Sequence, residues 1–274
     1  MRESEILKVF SMKDRVVIIT GGTGFLGRQY ANILNQAGAI VVIFDCSPRT
    51  TLEECRKTIS YVSGKNLLAM QVDVTNKDQI KDAVTRVYKK TGRIDVLVNN
   101  AAMNPAVDSE EMKKMFAPYE NYPSEIWDKE IAVDLTGAQF CTQVVAPYMM
   151  KQRTGVIVNV SSAVANAPVD NSIYGEGKFK SVAYIVTKTG ILGLTRAWAS
   201  YLGKYNVRVN AFSPGGMPKA EVSEGFRKRY SSLNMLGRMA EIDEYNGAML
   251  FLCSDASSFM TGSQLAMDGG ISSC

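Results

Sequence analysis

Between Arg15 and Asp45 the chain reads RVVIITGGTGFLGRQYANILNQAGAIVVIFD, an order of residues that few folds can accommodate. Val16 to Ile19 is a short β-branched apolar run, the pattern of a strand buried on both faces. Glycines at 21, 22, 24 and 27 follow, and Phe25, Leu26, Tyr30, Ile33 and Leu34 recur at helical spacing up to Gly38, where a helix should stop. A second apolar strand, Ile40 to Phe44, leads to Asp45, eighteen residues past the last glycine of the turn. This is a βαβ unit with an acid at its far edge. Glycines let the backbone approach a pyrophosphate, a helix N-terminus offers free N–H groups and partial positive charge, and a carboxylate can bond ribose hydroxyls. The unit therefore predicts a dinucleotide site.

The remaining composition narrows the chemistry. A chain of 274 residues with no linker-like run reads as one α/β domain spanning 1–274, with residues 1–14 as an N-terminal extension whose ILKVF is a packing segment. The net charge of +4 is mild and scattered, so a nucleic-acid partner is not demanded, while an anionic small substrate fits. Cysteines 46, 55, 141, 253 and 274 form no CxxC pair and read as reduced thiols of a cytoplasmic protein. The absence of histidine excludes His-based triads and leaves no Cys/His cluster for a metal, so acid–base work falls to Tyr, Lys or carboxylates. No apolar run is long enough for a membrane span, and the first fourteen residues lack the pattern of a signal peptide.

Strands and helices alternate along the rest of the chain. A polar helix is expected over Thr51 to Ser63, then a strand Leu67 to Val72 running into Asp73-Val74-Thr75; Asp73 suits either an adenine amino group or the cap of the next helix. The fourth strand, Ile94 to Val98, runs into Asn99-Asn100-Ala101-Ala102, and small residues and amides at the carboxyl end of a parallel strand are where open α/β sheets place ligands. A long polar and aromatic stretch follows, then a helix from about Pro123 to Met150 carrying Asp134, and a fifth strand, Gly155 to Val160, before Ser161-Ser162. Two YxxxK matches come next, Tyr174 with Lys178 and Tyr184 with Lys188. Tyr and Lys four apart share a helix face, but Gly175 and Gly177 spoil the first as a helix, whereas Tyr184 opens an apolar-periodic run. Val207 to Phe212, a helix over Glu241 to Cys253, and a last strand Gln264 to Met267 complete the pattern of a mostly parallel sheet with helices on both faces.

Taken in order, TGGTGFLG at 20–27, Asp73-Val74, NNAA at 99–102, VDLTG at 133–137, NVSS at 159–162, YIVTK at 184–188, VRVNAFSPGG at 207–216 and TGSQLAMDGG at 261–270 make the chain resemble the short-chain dehydrogenase/reductase family over nearly its whole length. The resemblance implies a Rossmann-like, doubly wound sheet of seven strands in order 3-2-1-4-5-6-7, and a homodimer or homotetramer. It implies hydride transfer between a nicotinamide and a secondary alcohol or ketone, with Ser162, Tyr184, Lys188 and Asp134 as the catalytic set. The cofactor contacts it implies are Gly21, Thr23, Phe25, Leu26, Asp45, Asp73, Val74, Asn100, Ala101, Ala102, Tyr184, Lys188, Pro214 and Gly215. Tyr184 would carry the proton, with the Lys188 ammonium drawing its phenol toward working range and Ser162 holding the substrate oxygen. Asp45 would repel a 2′-phosphate, which favours NAD over NADP, although Arg49 close behind could offset it.

The chain departs from its relatives in places. The turn has TGxxGxxG spacing, Asp134 stands where the family carries Asn, and no Thr follows Pro214-Gly215 at the usual place. A carboxylate accepts but donates only when protonated, and burial of Asp134 would raise its pKa and restore a donor. Met103 to Tyr122 and Ala163 to Ala183 look like insertions flanking one mouth, bordered by Arg227, Lys228 and Arg229, which suits a large polar, anionic substrate. The segment YGEGKFKSVAYIVTK with the long insertion after NNAA is similar to reductases of bacterial surface-glycan and nonulosonic-acid sugar biosynthesis, so a sugar or nucleotide-sugar is the expected substrate. The alternatives are a 3-oxoacyl thioester reductase and, because of Asp134, a cofactor-binding scaffold or sensor that no longer turns over.

Overall fold

The structure, a computed structural model, describes residues 3–60, 67–103, 109–218 and 223–273. In chain order the elements are α1 (Glu3–Val9), β1 (Val16–Thr20), α2 (Phe25–Gln36), β2 (Ile40–Asp45), α3 (Arg49–Ser60), β3 (Leu67–Gln71), α4 (Lys77–Thr91) and β4 (Val96–Asn99). They continue with α5 (Glu110–Met115), α6 (Ser124–Glu130), a π-helical turn over Ile131–Thr136, α7 (Gly137–Gln152), β5 (Gly155–Val160), α8 (Val182–Leu202), β6 (Val207–Pro214), α9 (Glu224–Ser232), α10 (Asn246–Cys253) and β7 (Gln264–Met267).

All seven strands pair in parallel in the order β3-β2-β1-β4-β5-β6-β7. The strand interiors are apolar on both sides because each face is covered. Val17, Ile19, Val41, Ile43, Val96 and Val158 pack with Tyr30 and Leu34 of α2 and Met249 and Leu252 of α10. The alternate residues Ile18, Val42, Leu97 and Ile157 pack with Val84 of α4, Val145 and Met149 of α7 and Leu202 of α8. Among the described residues no helix is long and apolar enough to cross a membrane.

Several expected boundaries move. Strands β1, β2, β4 and β6 run one or two residues further toward their carboxyl ends than apolar runs alone indicate, carrying Thr20, Asp45, Asn99 and Pro214 into the sheet. The helix expected over 51–63 is α3, Arg49–Ser60; residues 61–63 of that expectation lie outside the described residues. The single helix expected over 123–150 is two α-helices joined through the π turn. The helix expected from Glu241 starts only at Asn246, because Glu244 is engaged by Arg238 at 2.6 Å through both oxygens and accepts from Glu241 N at 2.7 Å. The stretch 103–122 contains α5, capped by Ser109, while 104–108 lie outside the described residues. The polar segment after Met217 contains α9, capped by Ser223.

Candidate active site

The carboxyl ends of β1, β2, β4, β5 and β6 open onto a cleft of about 1480 Å³. A single small ligand fills roughly 300–1,000 Å³, so this cleft has room for a dinucleotide together with a substrate. Of the sequence-predicted cofactor residues, Gly21, Thr23, Phe25, Leu26, Asp45, Asp73, Val74, Asn100, Ala101, Ala102, Tyr184 and Gly215 line it. Pro214 does not; it ends β6 as a buried residue, behind Gly215.

The glycine-rich turn is held by backbone and by its neighbours. Gly21 has φ of +63°, and a Cβ on Gly27 would come within 2.3 Å of the Gly21 carbonyl, so neither position admits a side chain without the turn moving. Thr20 Oγ1 accepts the Asn100 and Ala101 N–H groups at 3.0 Å each, and Asn100 Nδ2 donates to the Thr20 and Gly21 carbonyls at 3.1 and 3.0 Å. The Asn100 amide therefore buttresses the turn. Gly24 caps α2 with no side-chain bond, and the first turn carries no acid, which leaves its N–H groups suited to a phosphate. This donor set fits a pyrophosphate.

Asp45 stands at the far end of the same wall. Its Oδ2 accepts from Thr23 N at 2.9 Å and Thr23 Oγ1 at 2.8 Å, and its Oδ1 from Ser47 N at 3.0 Å. Two carboxylate oxygens offer about four acceptor sites, so capacity remains for ribose hydroxyls. Asp73 Oδ1 accepts from Thr75 N and Oγ1 at 2.8 and 2.7 Å, forming a local turn ahead of Asn76, the residue that caps α4. The Arg49 side chain lies outside the described residues.

Ser162, Tyr184, Lys188 and Asp134 converge at the other end. Ser162 follows β5, and its hydroxyl hydrogen-bonds that of Tyr184. Tyr184 and Lys188 sit one turn apart on α8, which starts where Ser181 Oγ accepts the Tyr184 N–H at 3.0 Å. Lys188 is buried; its Nζ donates to the Val160 carbonyl at 3.1 Å, lies 5.4 Å from the Tyr184 ring centroid, and stands 4.0 Å from Asp134 Oδ2. Asp134 is buried in the π turn; Oδ1 accepts the Met103 N–H at 2.7 Å, and Oδ2 has no hydrogen-bond partner. Neither Asp134 nor Lys188 lines the cleft; both lie behind the wall that Tyr184 and Ser162 form.

The electrostatics correct one expectation. Burial pushes the Tyr184 phenol above its ordinary value, the Asp134 charge pushes it further, and the Ser162 hydrogen bond pulls it down. The Lys188 ammonium has a carboxylate oxygen 4.0 Å away, and burial lowers its own pKa against the pull of Asp134 and Glu130. Burial raises Asp134 to about 6 against the opposing pull of Lys188.

Other residues of the site carried no motif. Glu130 is wholly buried as the last residue of α6, directly before the π segment; Oε2 accepts from Tyr122 OH and, at 2.6 Å, from Ser181 Oγ, while Oε1 has no hydrogen-bond partner. Following Asp128 and Lys129, it reads locally as one more charge on a helix. Lys180 places Nζ 3.9 Å from the Tyr184 ring centroid, on the cleft side. Tyr174, the rejected phenol, packs between Phe116 and Phe226, and Gly175 and Gly177 after it have positive φ. Of Arg227, Lys228 and Arg229 only Arg229 lines the cleft, and its Nε donates to the Ile173 carbonyl at 2.9 Å, tying α9 to the 163–183 segment. Lys178 joins Lys180 and Arg229 around the mouth, with Lys113 and Lys129 there paired to Glu110 and Glu111, so the cations of the expected basic rim come from several segments.

Comparison with known proteins agrees with this arrangement. A family model described as "Enoyl-(Acyl carrier protein) reductase" matches residues 24–272. The 3-oxoacyl-[acyl-carrier-protein] reductase FabG of Thermotoga maritima is 38% identical over 263 residues, 95% of this chain and 98% of that one. An NAD-dependent glycerol dehydrogenase of Listeria innocua is 30% identical over 271 residues, 96% of each chain. A gluconate 5-dehydrogenase from Burkholderia cenocepacia, solved in complex with NADP and tartrate, superposes with a TM-score of 0.85 at 26% identity, covering 98% of this chain and 99% of that one.

Proposed function

Because this chain belongs to the short-chain dehydrogenase/reductase family, and is thus an NAD(P)-dependent oxidoreductase acting on CH–OH groups, we propose that it interconverts a secondary alcohol and a ketone on a polar, anionic substrate, a sugar or nucleotide-sugar, with NAD as cofactor. The observation that carries this reading is the meeting of Ser162, Tyr184 and the Lys180 ammonium at the cationic mouth of the cleft. The polyol and sugar-acid names of the Listeria and Burkholderia relatives support the substrate class. Asp45 supports NAD, since a 2′-phosphate there would face a carboxylate already seated in the wall.

A nicotinamide bound in the cleft supplies a hydride acceptor or donor. The chain's residues do the rest. The α2 N-terminus and the glycine turn receive the pyrophosphate, and Asp45 accepts from the ribose. Ser162 holds the substrate oxygen against Tyr184, which takes the proton from an alcohol or returns it to a ketone. Lys188 keeps a positive charge behind the phenol, and Asp134 decides how much of that charge Tyr184 feels, because an ionised carboxylate 4.0 Å from the ammonium cancels it and a protonated one does not.

A second reading, reduction of a 3-oxoacyl thioester, is favoured by the 38% identity to the Thermotoga reductase. One experiment divides the two. NADH and then NADPH are titrated onto the purified protein by fluorescence, and absorbance change is followed with sugar acids, nucleotide-sugars and 3-oxoacyl thioesters. Activity with NADH on an anionic sugar supports the first reading, and activity confined to NADPH and thioesters replaces it with the second. The same sample, passed over a sizing column, tests a dimer or tetramer, for which exposed Val186 and Tyr201 on α8 offer apolar surface.

A further inference from the structure

Two acids and one ammonium are sealed together behind Tyr184. Glu130, Asp134 and Lys188 are 0%, 2% and 3% exposed, so the enclosed group carries one more negative than positive charge when both acids are ionised. Burying an uncompensated charge is costly, and a buried carboxylate avoids the cost by keeping a proton. Each acid also has one oxygen without a partner, Oε1 of Glu130 and Oδ2 of Asp134. The two acids are not equivalent. Glu130 Oε2 receives two O–H donors, from Tyr122 and Ser181. Asp134 has a single N–H donor, on Oδ1. The groups that face the pair are Tyr122 and Met103 N from the preceding segments, Ser181, Tyr184 and Lys188 from the α8 side, and partly exposed Lys180 beyond the Tyr184 ring.

We propose that Glu130 is a positioning residue of the active site, a buried anion that makes Asp134 the proton holder of the pair and fixes the start of the helix that carries Tyr184. The geometry of the second part is direct. Ser181 gives its one hydroxyl hydrogen to Glu130, which leaves its lone pair to accept the Tyr184 N–H. The first part restores, on Asp134, an O–H donor at the position where a neutral amide is the family pattern. Below about pH 6 the O–H bond sits on Asp134 Oδ2, Glu130 keeps the negative charge, and Lys188 then faces Tyr184 without the Asp134 charge set against its own. This rests on the proposed roles of Tyr184 and Lys188.

The test reads the proton itself. The carbonyl stretch of protonated Asp134, identified by its disappearance in Asp134→Asn, is followed by infrared spectroscopy against pH in the wild-type protein and in Glu130→Gln. A glutamine oxygen can still accept from Tyr122 and Ser181, so this variant removes charge and keeps the scaffold. The expected result is an Asp134 transition moved to lower pH by about one unit, the interaction at which two acids titrate as a pair, with NADH binding and the thermal midpoint retained. The pH profile of turnover should move in the same direction, because Tyr184 loses a facing negative charge. An Asp134 transition that stays in place in a folded Glu130→Gln protein overturns the proposal. If that variant does not fold, the wild-type protein with 13C-labelled carboxyls decides: the Glu130 resonance must shift in step with that of Asp134, and independent titration overturns it. Neither measurement needs turnover, so a failure of the proposed reaction would be seen separately.

Discussion

Asp45 and Asp134 are both buried acids at the carboxyl edge of one sheet, yet their surroundings differ in kind. Asp45 closes the wall at the proposed cofactor end, with both oxygens receiving donors from Thr23 and Ser47. Asp134, at the proposed catalytic end, has one oxygen hydrogen-bonded and the other bare beside an ammonium at 4.0 Å. The cofactor end is built by backbone and short polar side chains whose job is fixed shape. The catalytic end keeps charges under-supplied, which is how a site retains groups whose protonation can change.

The sharpest way to break this division is Tyr184→Phe. Turnover should fall by about 10²–10⁴-fold while NADH affinity stays as it was; a variant that remains fully active would remove the catalytic end from the account.

Asp134→Asn should come next in size and depends on pH. The folded state raises this carboxyl from 3.8 to about 6, so its stability contribution is present below the unfolded value and lost as pH rises through about 6. At neutral pH the charged form then costs up to about 3 kcal/mol. The amide should therefore unfold at higher denaturant than the wild type at pH 7 to 8, with the difference shrinking toward pH 4. An equal midpoint at pH 8 would mean the buried acid is compensated in some other way.

Asp45→Ala should do the reverse of Tyr184→Phe, weakening NADH binding by about tenfold through lost hydrogen bonds to ribose and narrowing the preference over NADPH, with the chemical step largely kept. Measured together, the two variants either separate the ends cleanly or show that they share a load. The smallest effect is expected at the seam between them. Tyr230 of α9 accepts the Gly216 N–H at 2.7 Å, so Tyr230→Phe leaves that amide unpaired at about 1 kcal/mol, read as a lower midpoint in urea.

The same division explains what the sequence made legible. The βαβ unit follows from local patterns, and a shared helix face pairs Tyr184 with Lys188, whereas the strand order and the place of Ser162 beside them were legible only through the family resemblance. Gly21 and Gly27 announce their turn because nothing larger fits. Glu130 gave no such sign, because its partners are eight and fifty-one residues away and only packing brings Tyr122 and Ser181 to it. Lys180 was hidden for a similar reason: it precedes the helix whose tyrosine it covers. The basic rim was expected from a run of three and came instead from scattered lysines with Arg229, because adjacent residues on α9 point different ways.

The π-helical turn at Ile131–Thr136 has a mechanical consequence. Each residue of an α-helix advances about 100°, so straightening 124–152 into one regular helix at full length would swing everything downstream by that angle and lift Cys141, Val145 and Met149 off the sheet. Deleting one residue inside the turn would instead leave both flanks in phase with their beds and erase only the widened loop that displaces Asp134. The helix is thus one residue longer than its packing requires, and that surplus falls in the turn that carries Asp134.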